Sequence, residues 1–261
     1  TNNVYNMEAL LEAAIEHHPQ HVFAVSTDKA SNPVNIMGGS KKMMEHLIMA
    51  YADQVNVTTA RFANVAFSNG SLLDGFNKRI QMGQPISAPA DVRRYFVTPA
   101  ESGHICMLAS LLGEKRDIFF PKLAESEMMT FSEIADRYLF ELGYKPDLCQ
   151  TEDEAKEKSS EWNPGSKSYP VFYFESDTTG EKPYEEFYTQ NEITDLNSFR
   201  SLGIVKGVPQ YSITEIKGQV ANLKEIFDQP GNTKELIVEA LKKFMPEFDH
   251  MEKGKNLDSK M

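Results

Sequence analysis

The sequence has little positive charge, little cysteine and no long apolar run, and each shortage excludes a class of protein. Its 27 Lys and Arg residues stand against 38 Asp and Glu, a formal net charge of -11. This balance argues against a nucleic-acid binder, because neutralising phosphates requires a basic surface. No run approaches the ~18 apolar residues of a membrane helix, so no membrane span is predicted. Cys106 and Cys149 are too few for a disulfide framework and favour a reducing, cytoplasmic setting.

A glycine-rich turn after a first strand, which marks a dinucleotide-binding domain, is also absent from the sequence. The sequence opens at Thr1 without an initiator Met, a basic n-region or an apolar h-region, so no signal peptide is predicted. We interpret the chain as a fragment in which the first half of such a domain is missing. Its 261 residues still provide ample length for a buried core, in one large domain or two small ones.

Helix and strand patterns alternate along residues 1–125. Apolar residues at helical spacing predict helices, and the short apolar runs between them predict buried strands. Helices are predicted at 7–17, 35–54, 72–82 and 99–112, the last after a capping box, and strands at 21–26, 55–62 and 117–120. This alternation is typical of a parallel sheet with helices on its faces, so the predicted fold class is α/β.

The remainder of the chain changes character. A capping box at Thr130 predicts a helix that ends near Gly143, and later patterns predict a strand at 170–175 and helices at 212–227 and 233–244. The polar stretch 151–168 is predicted to be a mobile surface insertion. We therefore divide the chain at residue 125. Residues 1–125 are predicted to be the C-terminal part of a dinucleotide-binding domain with interleaved substrate-binding segments, and residues 126–261 a smaller α+β substrate-binding and C-terminal helical region.

Reactive side chains are densest in two neighbouring segments, Ser-Thr-Asp-Lys at 26–29 and Met-Gly-Gly-Ser-Lys at 37–41. The first follows a predicted strand, at the sheet edge where open α/β proteins bind ligands. Met37 and Lys41 are one helical turn apart and share a face. A hydroxyl, a carboxylate and an amine that face a lysine form an acid–base set. Taken alone, Ser-Thr-Asp before a helix is more often a cap, and helical methionines are more often core.

Residues 26–41, STDKASNPVNIMGGSK, resemble the active-site segment of the extended short-chain dehydrogenase/reductases, and more narrowly that of the nucleotide-sugar 4,6-dehydratases of bacterial polysaccharide biosynthesis. Where that superfamily has Tyr-x-x-x-Lys, this sequence has Met37, and this form resembles a subgroup of UDP-N-acetylglucosamine 4,6-dehydratases. Residues 61–71, 93–101 and 180–186 resemble later motifs of the same family. The resemblance implies a partial Rossmann-like domain, bound NAD with NADP left open, and a UDP-sugar substrate.

The resemblance also implies roles for individual residues. Such an enzyme oxidises the sugar C4 hydroxyl by hydride transfer to the nicotinamide, eliminates water across C5 and C6, and returns the hydride to C6. Thr27 is implied to hydrogen-bond O4, Asp28 to protonate the leaving C6 hydroxyl, and Lys29, in its neutral form, to remove the C5 proton. Lys41 is implied to hold the cofactor ribose hydroxyls and to act electrostatically, with Ser26 as a second cofactor contact.

Met37 has no exchangeable proton and therefore cannot replace a tyrosine phenolate. The proton of the C4 hydroxyl is expected to leave through an ordered water to Asp28 or Lys41. Because the Met subgroup resembles enzymes that retain the C5 configuration, the expected product is UDP-2-acetamido-2,6-dideoxy-4-keto-glucose.

For the nucleotide, Asn64 and the turn at Gly70 and Ser71 are predicted to contact the diphosphate through side-chain and backbone donors. Arg94 is predicted to clamp a phosphate bidentately, with Arg93 as its competitor one residue away. Local bases of this kind are needed because the chain as a whole is acidic. Taken alone, two adjacent arginines would be surface charges with little meaning.

Two other functions stay open at this point. A nucleotide-sugar C4 epimerase shares the fold and the hydride step but needs no elimination pair at Asp28 and Lys29. A non-catalytic fragment, from a different class, would bind no cofactor because the glycine-rich turn is absent. The six histidines and two cysteines form no metal-ligand pattern, so no metal is predicted. The family resemblance also implies that the protein forms a homo-oligomer.

Overall fold

The computed structural model describes residues 2–177 and 182–250. Its helices are α1 (Met7–His17), α2 (Ile36–Tyr51), α3 (Leu72–Gln81), α4 (Pro99–Leu112), α5 (Phe131–Glu141), α6 (Glu152–Glu161), α7 (Ile213–Asp228) and α8 (Lys234–Phe244). Its strands are β1 (Val22–Thr27), β2 (Val57–Phe62), β3 (Asn64–Val65), β4 (Ile86–Pro89), β5 (Arg93–Arg94), β6 (Phe96–Val97), β7 (Asp117–Pro121), β8 (Met129–Thr130), β9 (Lys145–Cys149), β10 (Ser168–Phe174), β11 (Thr194–Asp195) and β12 (Leu202–Lys206).

The chain forms two compact units, and each unit is assembled from separate stretches of sequence. Among the described residues, the first unit contains 2–63, 100–122 and 186–250, and the second contains 64–99, 123–177 and 182–185. None of the helices in these stretches combines the length and the apolar character that crossing a bilayer requires.

The first unit is built on a five-stranded sheet in the order β1-β2-β7-β12-β11. Strands β1, β2 and β7 run parallel, which confirms the arrangement predicted from the alternating pattern. Strands β12 and β11 are added in antiparallel orientation. Every residue of β2 is buried, as expected for a central strand of such a sheet. The core on one part of this sheet contains apolar side chains from strands and α4: Ala60, Phe62, Ile105, Ala109, Phe119, Leu202 and Ile204.

The second unit is built on a smaller parallel sheet in the order β4-β10-β9, with the short ladders β3–β6 and β5–β8 beside it. Its core is formed by Leu73, Phe76, Ile86, Ala88, Ala135, Leu139, Tyr169 and Val171. The capping box predicted at Thr130 is confirmed. The Thr130 side chain accepts from the Glu133 amide, and the Glu133 carboxylate accepts from the Thr130 amide, so α5 begins where the sequence indicates.

The prediction of a mobile insertion at 151–168 is wrong. Most of this stretch is α6, and the side chain of Thr151 caps its start by accepting from the Glu154 amide. Ala155 and Ser159 are buried, and the Ser159 hydroxyl donates to the Gly83 carbonyl. Trp162 packs edge-on against Tyr169 of β10. The polar composition concealed a narrow stripe in which Ala155 and Ser159 are buried, followed by the partly buried Trp162, each about one helical turn from the next.

Candidate active site

The sequence-predicted cluster at 27–29 lies where β1 ends and a single 3-10 turn, Asp28–Ala30, begins. Asp28 is only 4% exposed. One of its carboxylate oxygens, Oδ1, accepts three hydrogen bonds: from the Thr27 hydroxyl at 2.8 Å, from the Lys29 amide at 2.8 Å and from the Lys29 ammonium at 3.2 Å. The structure therefore brings the hydroxyl, the carboxylate and the amine into direct contact, and protons can pass between them along existing hydrogen bonds.

Lys41 lies on α2, and its ammonium donates to the carbonyl of Val25 in β1 at 2.9 Å. Burial lowers the pKa of Lys41, and the nearby carboxylate of Glu45 acts in the opposite direction. Met37, one turn earlier on the same helix, is 46% exposed. Lys41 is thus fixed against the strand that leads into the Asp28 turn, and Met37 presents its thioether to the surface.

Gly38 allows α2 to approach the Asp28 turn closely. A Cβ atom at this position would lie 2.8 Å from the carbonyl oxygen of Lys29, so a larger residue would require one of the two segments to shift. The side chain of Asn35 caps the start of α2 by accepting from the Gly38 amide at 2.8 Å. The helix that carries Met37 and Lys41 is therefore held against the turn by a glycine contact and begins at a defined residue.

Ser26, the predicted cofactor contact, points instead into a set of buried charged residues that the sequence reasoning did not identify. Its hydroxyl donates to Oε1 of Glu45 at 2.7 Å. The guanidinium of Arg61, in β2, is fully buried and binds both oxygens of Glu45 at 3.0 and 2.8 Å, and both oxygens of Glu192 at 2.7 and 2.9 Å. The Lys42 ammonium lies 3.6 Å from Glu192. We call Ser26, Lys42, Glu45, Arg61 and Glu192 the buried charge network.

The charges of this network stabilise one another. Burial alone would favour the neutral form of Glu45, but Arg61, Lys42 and the Ser26 hydrogen bond outweigh it and lower the pKa of Glu45 to about 2. Burial opposes ionisation of Glu192 as well, and its hydrogen bonds with Arg61 reverse this and lower its pKa. The pKa of Arg61 is raised by the same two carboxylates against the effect of burial. All three groups are therefore ionised at neutral pH.

One signal in the sequence pointed to this network. Arg61 lies within a run, 57–62, that otherwise reads as a buried strand. Because arginine is almost never fully buried without a partner, an arginine there requires an acidic residue brought to it by folding. Nothing in the sequence indicated that the partners are Glu45, from the helix that carries Lys41, and Glu192.

Three residues predicted to contact the diphosphate lie in the second unit, at or before the start of α3. Asn64 lies in β3, where its backbone N–H donates to the Tyr95 carbonyl. Gly70 has a φ of +74°, and its amide donates to the Asp74 carboxylate at 3.1 Å. The Ser71 hydroxyl accepts from the Asp74 amide and so caps α3. The glycine is required here by its left-handed backbone, and both Gly70 and Ser71 already serve the helix start.

The two arginines predicted to bind phosphate differ in their surroundings. Arg94 is 4% exposed, and its guanidinium donates to the carbonyls of Arg93 at 2.8 Å and Lys182 at 3.0 Å, with the Glu185 carboxylate at 3.9 Å. Arg93 is exposed. In the second unit Arg94 thus holds the segment that begins at Lys182. Gly180 and Glu181, part of a further predicted family motif, lie outside the described residues.

Residues 2–177 and 182–250 contain no group of three or more His, Cys, Asp or Glu side chains that could hold a metal ion.

The chain is similar to known proteins of polysaccharide biosynthesis and to UDP-glucose 4-epimerases. It is 29% identical over 211 residues to a probable polysaccharide biosynthesis protein, EpsC, of Bacillus subtilis, covering 79% of this chain and 31% of that protein. It is 27% identical over 261 residues to a UDP-glucose 4-epimerase of Rickettsia akari, covering 96% of this chain and 68% of the relative. The chain thus spans about a third of the length of EpsC.

Among solved structures, the fold is similar to that of dTDP-glucose 4,6-dehydratase (RfbB) from Bacillus anthracis in complex with NAD. The TM-score is 0.54 at 14% identity, with 85% of this chain and 68% of that chain covered. This similarity confirms the predicted Rossmann-like α/β fold. The family model described as polysaccharide biosynthesis protein matches residues 1–192, well over half of the sequence. The chain therefore belongs to the polysaccharide biosynthesis protein family.

Proposed function

We propose that this chain carries the reacting groups of an NAD-dependent nucleotide-sugar 4,6-dehydratase acting on UDP-N-acetylglucosamine. The observation that carries the proposal is the Asp28 carboxylate, whose Oδ1 atom accepts from both the Thr27 hydroxyl and the Lys29 ammonium. The reaction needs proton transfers at O4, at C5 and at the leaving C6 hydroxyl. A hydrogen-bonded hydroxyl, carboxylate and amine supply groups for all three.

Removal of the O4 proton is assigned to Thr27 and Asp28. Because the Thr27 hydroxyl donates to Asp28 at 2.8 Å, its oxygen is oriented to accept the proton of the sugar C4 hydroxyl. As C4 is oxidised, that proton passes to Thr27 and the Thr27 proton passes to Asp28. This path replaces the ordered water of the sequence hypothesis and makes an exchangeable proton on Met37 unnecessary. It also leaves Asp28 as the neutral acid that the next step requires.

Water elimination is assigned to Lys29 and Asp28. Lys29, as the free amine, takes the C5 proton, and Asp28 gives its proton to the C6 hydroxyl, which leaves as water. Lys29 then returns its proton to C5 when the hydride is delivered to C6. The sum of these steps is the loss of one water from the sugar. The 3.2 Å contact between Lys29 Nζ and Asp28 Oδ1 places the acid and the base of this step side by side.

The residues present fit the nicotinamide-ribose end of the cofactor. The Lys41 ammonium donates to the Val25 carbonyl at 2.9 Å and to the Met44 sulfur at 3.9 Å, and its third N–H can serve the ribose hydroxyls. When bound, NAD supplies the acceptor and the donor of the hydride. The Ser26 hydroxyl already donates to Glu45, so its predicted contact with the cofactor would use its oxygen as an acceptor. The predicted phosphate contacts of the second unit stay predictions. Arg93 is the more available of its two arginines, because Arg94 is committed to backbone carbonyls.

The test is turnover of UDP-N-acetylglucosamine by the purified protein with NAD supplied. The expected product has lost one water, carries a 4-keto group and a C6 methyl group, and retains the C5 configuration, all of which NMR spectroscopy and mass spectrometry report. Conversion to UDP-N-acetylgalactosamine without loss of mass would identify a C4 epimerase, which the epimerase relative makes the second candidate. Protein that binds no nicotinamide and turns over neither sugar would be the non-catalytic alternative.

A further inference from the structure

The buried charge network reaches the strand end that carries the proposed reacting groups. Two consecutive residues of β1 are held by a single turn of α2: the Val25 carbonyl accepts from Lys41, and the Ser26 hydroxyl donates to Glu45. Lys41 and Glu45 are four residues apart on the helix, so they lie on one face. The next residue of the strand is Thr27. The position of the hydroxyl proposed to contact O4 is thus fixed by the pair of contacts just before it.

The network also fixes the segment that lies on the other side of the turn. Arg61 donates to the Phe187 carbonyl at 2.8 Å in addition to its two carboxylate partners. The hydroxyl of Ser31, which directly follows the Asp28–Ala30 turn, lies between two acceptors, the Asp28 carbonyl at 2.9 Å and the Glu186 carbonyl at 2.5 Å. We call Asp28–Ala30 the reactive turn. The residues just before and just after it therefore both contact segments that Arg61 and its partners hold.

A purely stabilising role does not account for this arrangement. Replacing a buried ion pair with apolar residues of similar volume is often neutral or stabilising, so charge in a core is weak evidence for stability. Here Glu45 accepts a hydrogen bond from the hydroxyl of Ser26, a strand residue that lies just before Thr27 and the reactive turn. Reacting groups lose large factors in rate when displaced by about 1 Å, so a rigid connection at this point has a direct consequence for chemistry.

We propose that Glu45 is a positioning residue. Held in place by Arg61, it fixes the end of β1 through Ser26 and so sets the location of Thr27, Asp28 and Lys29. The effect on catalysis that this inference predicts rests on the proposed function of that turn. The mechanical part, that Glu45 orders the turn, is independent of what the turn does.

The first measurement is hydrogen exchange of the unliganded protein, followed by mass spectrometry of peptides covering residues 24–32. Glu45→Gln and Ser26→Ala are expected to increase exchange of these peptides severalfold and to leave peptides from β10 unchanged. Ser26→Ala is the milder variant, because Arg61 keeps both carboxylate partners, and it serves where Glu45→Gln does not fold. Thr59→Val is the matched control. The Thr59 hydroxyl is also buried and also donates to β1, at the Ala24 carbonyl at 2.7 Å, but lies outside the network.

The second measurement is steady-state kinetics of dehydration. Displaced proton-transfer groups are expected to lower kcat by about tenfold or more in Glu45→Gln, with KM for the nucleotide sugar changed less than twofold, because substrate binding does not depend on proton-transfer geometry. Thr59→Val is expected to keep the parent kcat. A general loss of folded protein would instead lower the active fraction in all variants alike, which active-site titration with the cofactor would detect.

Two results would overturn the proposal. One is equal exchange of residues 24–32 in Ser26→Ala, Thr59→Val and the parent protein. The other is faster exchange throughout the first unit with no excess at the turn, which would make Glu45 an ordinary contributor to stability. A parent protein without dehydratase activity contradicts the proposed function, and in that case the exchange experiment still decides the proposal on Glu45.

Discussion

The buried arginines of the two units differ in their main partners. In the first unit, Arg61 binds the carboxylates of Glu45 and Glu192, and Glu45 accepts from Ser26. In the second unit, Arg94 donates to backbone carbonyls, and Ser159 donates to the carbonyl of Gly83. The first arrangement creates a charged centre next to a strand end. The second satisfies the backbone and holds loops in place.

This difference teaches how to interpret a polar residue at the end of a strand. Thr27 and Ser71 are both hydroxyl residues just before helical turns, and both were predicted to bind the sugar nucleotide. Ser71 accepts from the Asp74 amide as an ordinary helix cap, whereas the Thr27 hydroxyl donates to a buried carboxylate. The residue type is similar, and the partner decides whether the hydroxyl serves the fold or can serve chemistry.

The largest expected effect is the loss of the central charge of the network. Arg61→Leu would leave Glu45 and Glu192 buried without their cation, and we expect a loss of about 3–5 kcal/mol in the free energy of unfolding, measured by urea titration. Arg93→Leu, at an exposed arginine of the second unit, is the control and is expected to change the stability by less than about 0.5 kcal/mol. Equal losses of unfolding free energy in the two variants would contradict the special role of the charge network in the first unit.

The same network predicts how stability depends on acid. The pKa of Glu45 in the folded protein is about 2, below its ordinary value of 4.5. Its contribution is therefore present above pH 4.5 and is lost as the pH falls towards 2, a change of roughly 3 kcal/mol. Denaturant titrations across this range should show a steeper loss of stability in the parent protein than in Glu45→Gln, and parallel curves would contradict the assignment.

At the reactive turn, Asp28→Asn is expected to lower kcat for dehydration by about 100-fold or more, because the amide can accept a hydrogen bond but cannot carry the transferred proton. The fold should be retained, since the amide oxygen can still accept from Thr27. Asp53→Asn, at an exposed carboxylate of the same unit paired with Lys115, is the control and should keep the parent rate. Full activity in Asp28→Asn would remove Asp28 from the mechanism.

The smallest effect concerns α6 in the second unit. Thr151→Ala removes the side chain that accepts from the Glu154 amide, and we expect a loss of about 1 kcal/mol in the free energy of unfolding. Ser160→Ala, on the exposed side of the same helix, is the matched control and should be near neutral. No difference between the two variants would mean that this helix does not contribute to the cooperative fold.

Prediction from the sequence succeeded where the signal was local. The capping box at Thr130 specifies the start of α5 because its two partners are three residues apart, and the Val, Thr and Phe residues of β2 favour a strand by their type. It failed at α6, where only a narrow stripe of small side chains is buried. It also missed Glu45 and Glu192 as partners of Arg61, because residues 16 and 131 positions away leave no mark on the local pattern.

The sequence by itself determined the alternation of strands and helices, the family, and the presence of a hydroxyl, a carboxylate and an amine side by side at 27–29, since neighbours in sequence remain neighbours in space. The tertiary structure decided what these groups touch. It directed Ser26 away from the surface to Glu45, gave Arg61 its two carboxylates, and committed Arg94 to backbone carbonyls. A buried charge must find its counter-charge wherever the folded chain brings one, and that location depends on the packing of whole elements.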